Sequence, residues 1–128
     1  MEDAMKRHGA FSWNELMTTD PAAAVKFYSE LLGWTSEKFP AEGMEYIVVK
    51  TGDKEIGGIM GMPPGVEGVP PHWGAYITVD DVDVSARKAE ELGARIIVPP
   101  MDIPKVGRFC TFADPQGAVI SIIKYVPM

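Results

Sequence analysis

A single carboxylate in an apolar strand-like segment is the sharpest candidate for chemistry in this chain. The segment Phe11–Thr18 (FSWNELMT) alternates as a strand does, and successive strand side chains point to opposite faces. Glu15 therefore shares one face with Trp13 and Met17. A carboxylate among such neighbours is partly desolvated, which suits a general base or a partner for a cationic ligand. Two alternatives remain: a pairing with a basic residue such as Arg108, or a position facing water at a sheet edge.

The other reactive side chains are few. The one cysteine, Cys110, excludes an internal disulfide and a cysteine-based metal site. We expect it to be a small buried hydrophobe; the alternative, a catalytic thiol, needs a cationic neighbour, and only Arg108 is near in sequence. A divalent metal needs several converging donors. The two histidines are His8, in an N-terminal tail, and His72, which could reach a cavity mouth or lie at the surface.

Composition excludes several classes of protein. The chain has 128 residues, 46% of them hydrophobic and 23% charged, which is typical of one globular domain. The net charge of −6, without a Lys/Arg cluster beyond two dipeptides, argues against nucleic acid as a partner. The apolar runs are too short to cross a bilayer, and residues 1–10 lack the apolar core of a signal peptide. We therefore expect a cytoplasmic protein with no membrane partner.

The first half of the chain predicts a strand, a helix and three strands. The helix begins with Asp20 as N-cap and Pro21 at its first position, and it ends at Gly33. Its apolar face has helical spacing and consists of Ala24, Phe27, Tyr28 and Leu31. The following strands are predicted at 34–39, 44–50 and 55–60.

The second half repeats this order. A strand at 74–79 precedes a helix that Asp80-Asp81 can cap and Gly93 ends, so the two helices are offset by 60 positions. The helix buries Val82, Ala86 and Ala89. The next strands, at 94–98, 108–113 and 118–124, are separated by Pro99-Pro100, Pro104 and 114–117, all with turn composition.

The repeat predicts an α+β protein of two βαβββ modules. Module one covers about 9–62, a Pro/Gly-rich linker covers 63–71, and module two covers about 72–126. Each half, at about sixty residues, would have a marginal core, so we expect residues 1–128 to form a single domain. A sheet with its helices on one face and its other face curled around a cavity is the natural arrangement.

Two motifs resemble the vicinal oxygen chelate superfamily, which includes glyoxalases, bleomycin resistance proteins and dioxygenases. The first consists of Asp20, Phe27-Tyr28 and Leu32-Gly33-Trp34, and the second is Asp114-Pro115-Gln116-Gly117. The resemblance spans nearly the whole chain and implies a curled mixed sheet around a cavity, and also a homodimer. It does not select an activity, because the family includes isomerases, dioxygenases, epimerases, thiol transferases and drug-binding proteins.

The resemblance also implies where metal ligands would stand. The first-strand histidine position, seven before the capping Asp, holds Trp13, and the second-module position holds Gly74, or Trp73 or Ala75 after a one-residue slip. The last-strand glutamate position holds Ser121, and 56–61 offers no imidazole or carboxylate. We therefore expect no metal and no cofactor.

With the family's geometry, one set of strand side chains lines the cavity. That set comprises Trp13, Glu15, Tyr46, Tyr76, Thr78 and Ser121. Ala75, Ile77 and Val79 then lie against the second helix. Gly57-Gly58 marks a close approach, either of a ligand or of the two halves to each other.

These residues favour a metal-free pocket for an apolar or cationic organic ligand. One alternative is an isomerase or lyase of a small oxygenated metabolite, with Glu15 as acid/base. A second is a metal-dependent glyoxalase- or dioxygenase-like enzyme whose ligands stand elsewhere. Whether the protein is an enzyme is left open at this point.

Overall fold

The computed structural model describes residues 3–39, 45–62 and 69–126. After a short 3-10 helix at Asp3–Lys6, the elements follow in the order β1 (Phe11–Thr18), α1 (Pro21–Leu32), β2 (Thr35–Phe39), β3 (Tyr46–Thr51), β4 (Lys54–Gly61), β5 (His72–Thr78), α2 (Val82–Glu91), β6 (Arg95–Ile103), β7 (Gly107–Ala113) and β8 (Val119–Tyr125). The strand–helix–three-strand order occurs twice. The predicted α+β class with two βαβββ modules is therefore confirmed.

Helix α1 begins and ends where the sequence predicts. The Asp20 carboxylate accepts a hydrogen bond of 3.1 Å from the Ala23 amide, and Gly33 ends the helix with a left-handed φ of 76°. Side chains other than glycine rarely adopt that conformation. Local chemistry alone therefore sets both ends of this helix.

The predicted apolar face of α1 is only half right. Ala24 and Tyr28 pack against the strands together with Val25, but Phe27 and Leu31 are 58% and 62% exposed. The packed stripe is rotated by about one residue from the predicted one, which brings the smaller side chains against the sheet. Phe27 and Leu31 consequently lie on the outer side of the helix.

Helix α2 is capped by the second aspartate of its pair. The Asp81 carboxylate accepts from the Val84 amide at 3.0 Å, so the caps are offset by 61 positions (81 − 20) rather than the predicted 60. The Asp80 amide instead donates to His8 Nδ1 at 2.9 Å. The hydrogen bond between Asp80 and His8 fixes the chain just before α2.

Residues Trp13–Gly74 form one compact unit, here called the first unit. Its strands lie in the order β2-β3-β4-β1, with β1 parallel to β4 and the other pairs antiparallel. Beneath α1 the unit buries Leu16, Ile47, Val49 and Ile59. The opposite face of the same strands carries the candidate site residues of this unit.

The second unit comprises Ala75–Met128 together with Met1–Ser12. Its strands lie in the order β5-β8-β7-β6, with β5 parallel to β8. Gly9 donates its amide proton to the Thr78 carbonyl, and the Thr78 amide donates to the Ala10 carbonyl, both at 2.8 Å. The segment before β1 is thus held by β5.

The core of the second unit contains the lone cysteine. Cys110 is fully buried and packs with Val79, Val82 and Ala86, and its burial is the main cause that raises the thiol pKa. The prediction that Cys110 is a small buried hydrophobe is therefore confirmed. Ile77 also packs here, as predicted for the side of β5 that faces α2.

Strand β6 extends further than the sequence predicts. The expected turn at Pro99-Pro100 is wrong, because the strand continues through both prolines to Ile103. It is the last strand in the order of its unit and pairs with β7 alone, with register shifts on both sides of Val98. An edge strand tolerates proline since one row of its amides has no ladder partner.

Across the described residues, no helix is long and apolar enough to span a bilayer.

Candidate functional site

On the strand face of the first unit, two aromatic side chains meet across an intervening strand. The Trp13 indole N–H donates a hydrogen bond of 2.8 Å to the Tyr46 hydroxyl. Because β4 lies between β3 and β1, Tyr46 has to cross β4 to reach Trp13. It does so at Gly58, where a Cβ would overlap the Tyr46 hydroxyl and ring. Phe39 packs edge-on against Tyr46 at 6.3 Å between ring centroids, so aromatic rings extend across the face.

Glu15 lies beside this aromatic row. It is paired in register with Gly58 and shares the face of Trp13, whereas Leu16 points into the core on the other side. Only 8% of its surface is exposed. The structure therefore brings Trp13, Glu15 and Tyr46 to one face of one unit.

The sequence suggested that the glycine pair of β4 admits a ligand or lets the two halves approach each other, but in the structure both glycines make room for residues of the first unit. Gly58 makes room for the Tyr46 ring, and a Cβ at Gly57 would approach the Asn14 carbonyl oxygen to 2.7 Å. Both close approaches lie within the first unit.

The remaining predicted site residues lie in the second unit. Tyr76 and Ser121 are register partners on β5 and β8, and Tyr76 contacts Phe109 at 6.4 Å between centroids. The Ser121 and Thr111 hydroxyl oxygens are 2.7 Å apart. Thr78 has another role, because its hydroxyl donates to the Met5 carbonyl at 2.6 Å. It holds the N-terminal segment.

Arg108 and His72 have protein partners of their own. The Arg108 guanidinium donates to both carboxylate oxygens of Asp83, at 2.8 and 2.9 Å, and to Asp102 at 3.1 Å. Two aspartates thus hold the arginine that the sequence offered as a partner for Glu15. The exposed His72 ring is 3.0 Å from the Pro70 carbonyl, to which its Nδ1–H can donate.

The Arg108–Asp83 pair predicts a pH-dependent effect on stability. The hydrogen bond from Arg108 holds the pKa of Asp83 below its ordinary 3.8. A carboxyl with a lowered folded-state pKa stabilises the fold above its unfolded pKa, and this contribution is lost as pH falls through the folded value. We expect Arg108→Gln to lower Tm at pH 7, and the difference from wild type to shrink below pH 3.8. Arg95→Gln, at an exposed β6 position, is the control. A Tm difference unchanged down to pH 2 would contradict the assignment.

The positions that would hold the family's metal do not fit a divalent ion. At the first position, the Trp13 indole N–H donates a hydrogen bond to Tyr46. At the other two, Gly74 has no side chain and the Ser121 hydroxyl is hydrogen-bonded to the Thr111 hydroxyl. Divalent metals require several imidazole, carboxylate or thiolate groups converging on one point. Within residues 3–39, 45–62 and 69–126, no three such side chains come together.

Sequence analysis missed an aromatic cluster on the helix side of the first unit. Tyr28 and Trp34 stack at 5.4 Å, and Trp73 meets both rings edge-on at 5.5 and 6.2 Å. These rings border a cleft of about 430 Å³. The available signal was the aromatic type of these residues, because nothing in their spacing joins Trp73 to Tyr28.

Comparison with known protein families gives one match over most of the chain. The model of the Glyoxalase/Bleomycin resistance protein/Dioxygenase superfamily matches residues 10–122. Among curated proteins, a Mycobacterium tuberculosis protein described as a candidate glyoxylase, CFP32, is 46% identical over 120 residues, or 93% of this chain. The anthracycline biosynthesis protein DnrV of Streptomyces peucetius is 32% identical, covering 89% of this chain. The matches span 45% and 46% of those two proteins, so the chain corresponds to less than half of their length.

Solved structures share the fold at low identity. Methylmalonyl-CoA epimerase from Mycobacterium tuberculosis matches with a TM-score of 0.64 and 16% identity, over 99% of this chain and 93% of that protein. The hypothetical protein BH1468 from Bacillus halodurans matches with a TM-score of 0.69 and 13% identity, over 95% and 98%. At these identities the likeness concerns the fold alone.

Proposed function

Because this chain belongs to the glyoxalase/bleomycin resistance protein/dioxygenase superfamily, we propose that it is a metal-free binding domain for an apolar or cationic organic ligand. The ligand lies on the strand face that carries Trp13, Glu15 and Tyr46. One observation carries the proposal: the hydrogen bond between Trp13 and Tyr46 across Gly58, beside a buried carboxylate. The predicted homodimer and cytoplasmic location belong to the same proposal.

The hydrogen bond matters because it orders two large rings before a ligand arrives. Ordering a side chain on binding costs roughly 0.5–1.5 kcal/mol, so a preformed aromatic surface saves much of that cost. Flat rings on such a surface gain contact area and favourable ring–ring geometry. The faces of Trp and Tyr also attract cations.

Glu15 extends the preference to positively charged ligands. A carboxylate with little exposure interacts with a cation more strongly than one in water, because the effective dielectric is lower. Trp13 and Tyr46 would then hold the apolar body of the ligand, while Glu15 orients its charged group. Within the second unit, Tyr76 and Ser121 are proposed as ligand contacts on adjacent strands, and Thr78 as a support for the strand that carries Tyr76.

The relationship to an anthracycline biosynthesis protein suggests a practical first ligand. Anthracyclines combine a planar fused-ring system with an amino sugar, so that one molecule carries both an apolar body and an ammonium group. Daunorubicin and its uncharged aglycone, daunomycinone, form a matched pair that differs in the charged sugar.

We expect Glu15→Gln to weaken daunorubicin binding about tenfold while leaving daunomycinone binding nearly unchanged. The substitution keeps the shape of the side chain but removes a charge-assisted interaction, typically worth about 1.5 kcal/mol. Isothermal titration calorimetry with both ligands measures the difference. Glu55→Gln, at an exposed β4 position, is the matched control. The proposal is contradicted if neither ligand binds up to its solubility limit, or if Glu15→Gln lowers the affinity for both ligands equally.

An enzymatic alternative rests on the burial of Glu15. A carboxylate beside aromatic rings could move a proton in an isomerase or lyase acting on a small oxygenated metabolite. The relationship to a candidate glyoxylase brings in a second alternative, a metal-dependent enzyme of the glyoxalase or dioxygenase type. Turnover of the adduct of methylglyoxal and glutathione, with and without added Ni²⁺ or Zn²⁺, distinguishes both alternatives from simple binding.

We expect purified protein to contain well under one equivalent of divalent metal per chain. The reason is the donor set, since Trp13, Gly74 and Ser121 supply no imidazole, carboxylate or thiolate. Inductively coupled plasma mass spectrometry after mild chelation measures the content. About one equivalent of zinc, nickel, iron or manganese, retained through chelation, would support the metal-dependent alternative instead.

A further inference from the structure

We propose a second ligand site, in the cleft on the helix side of the first unit, for a neutral planar aromatic compound. The cleft lies entirely within Trp13–Gly74. Its lining residues are Asn14, Tyr28, Trp34, Val49, Ile56, Gly57 and Trp73. Its volume of about 430 Å³ lies within the range of small-molecule pockets, about 300–1,000 Å³.

This cleft is distinct from the face proposed above. Asn14 lies between Trp13 and Glu15 in β1 and therefore points to the opposite side of the strand. Val49 confirms the side, because it packs in the core beneath α1. A molecule in the cleft consequently cannot contact the Trp13–Tyr46 face of the same strands.

Three rings form a fixed wall of the cleft. Tyr28 and Trp34 are nearly parallel, at 24°, while Trp73 stands at 79° to Tyr28 and 84° to Trp34. The Trp73 indole N–H also donates to the Tyr28 hydroxyl at 3.2 Å. Trp73 nevertheless remains 42% exposed, so apolar surface at the cleft is still in contact with water. A flat apolar molecule can cover it without first ordering the rings.

The charge of the lining selects a neutral ligand. None of the described residues that line the cleft is charged, so an ionic ligand would lose water without gaining a counter-ion. Polar contacts are available from the Asn14 amide and from the Tyr28 hydroxyl, whose proton remains to be donated while its oxygen accepts from Trp73. A planar compound of two rings with one hydroxyl or carbonyl group matches these properties.

The three tryptophans report on the two sites separately. Trp34 and Trp73 border the cleft, whereas Trp13 lies on the other face. In protein labelled with 5-fluorotryptophan, each ring gives one ¹⁹F resonance, which the three single Trp→Phe variants assign. The probes are 2-naphthol, naphthalene, and naphthalene-2-sulfonate as the charged match.

We expect 2-naphthol to shift the Trp34 and Trp73 resonances saturably and to leave Trp13 unmoved. Naphthalene-2-sulfonate should bind at least about tenfold more weakly. Asn14→Ala should reduce the affinity for 2-naphthol to that for naphthalene, and Trp73→Ala should reduce both about tenfold. Asn14 and Trp73 are exposed, so neither substitution removes core packing.

Trp13→Phe should leave 2-naphthol binding unchanged, which separates this site from the proposed function. Shifts at Trp13 alone, equal affinity for the sulfonate, or no saturable shift at Trp34 and Trp73 would each overturn the proposal.

Discussion

Replacing Ile59 with alanine is expected to lower the free energy of unfolding by about 2–5 kcal/mol. Ile59 is fully buried at the centre of the first unit, where it packs with Leu16, Ile47 and Val49 beneath α1. The substitution removes three buried carbon atoms and leaves a cavity that the surrounding strands can fill only partly. The lost contacts and the cavity both contribute to the cost.

The matched control for this prediction is Ile97→Ala. Ile97 is also a strand isoleucine, but 42% of its surface is exposed. Ile97→Ala changes strand propensity as much as Ile59→Ala does, but it removes much less buried volume. We therefore expect it to lower the free energy of unfolding by only about 0.5–1 kcal/mol. Urea unfolding followed by circular dichroism measures both losses. Equal losses for the two variants would show that Ile59 is not at a tightly packed position.

The sequence predicts those features that depend on neighbouring residues. Asp20 and Gly33 define α1 because capping and left-handed backbone are local properties. The strand–helix–three-strand repeat follows from the same kind of signal. Phe27 and Leu31 show the limit: helical spacing identifies a broad apolar arc but not the part of it that contacts the sheet.

Other differences come from the position of a strand in its sheet. Pro99 and Pro100 predict a turn in any isolated segment, but β6 lies at an edge and continues through them. Gly57 and Gly58 indicate a close approach without naming the approaching group. That group is the Tyr46 ring at Gly58 and the Asn14 backbone at Gly57.

The candidate site also combines features that depend on neighbouring residues with features that depend on the folded chain. Strand alternation places Trp13 and Glu15 on one face, opposite the helix-packed Leu16. The hydrogen bond from Trp13 to Tyr46 joins residues 33 positions apart. The Thr78 hydroxyl donates to the Met5 carbonyl, 73 positions away in the sequence. Such pairings depend on the assembled sheet. Strand alternation alone therefore identifies the surface but not the contacts that its side chains make.

The geometry at Gly58 leads to the sharpest test of the proposed binding face. A Cβ at this position would overlap the outer end of the Tyr46 side chain, which can rotate away without moving backbone. We expect Gly58→Ala to keep stability within about 1 kcal/mol of wild type, roughly the net value of one hydrogen bond. Because Tyr46 would leave Trp13, daunorubicin affinity should fall about thirtyfold, equivalent to about 2 kcal/mol of lost aromatic contact.

Gly107→Ala is the informative contrast to Gly58→Ala, because the added methyl group would meet backbone. A Cβ at Gly107 would overlap the Lys124 carbonyl and approach the Tyr125 Cα to 2.9 Å. Backbone in a paired strand cannot rotate away, so we expect a loss of about 1–3 kcal/mol in stability. Its daunorubicin affinity at a temperature where it remains folded should stay within twofold of wild type. The two glycines thus predict opposite outcomes, one in binding and one in stability. Unchanged daunorubicin affinity in Gly58→Ala would remove the Trp13–Tyr46 pair from the binding surface.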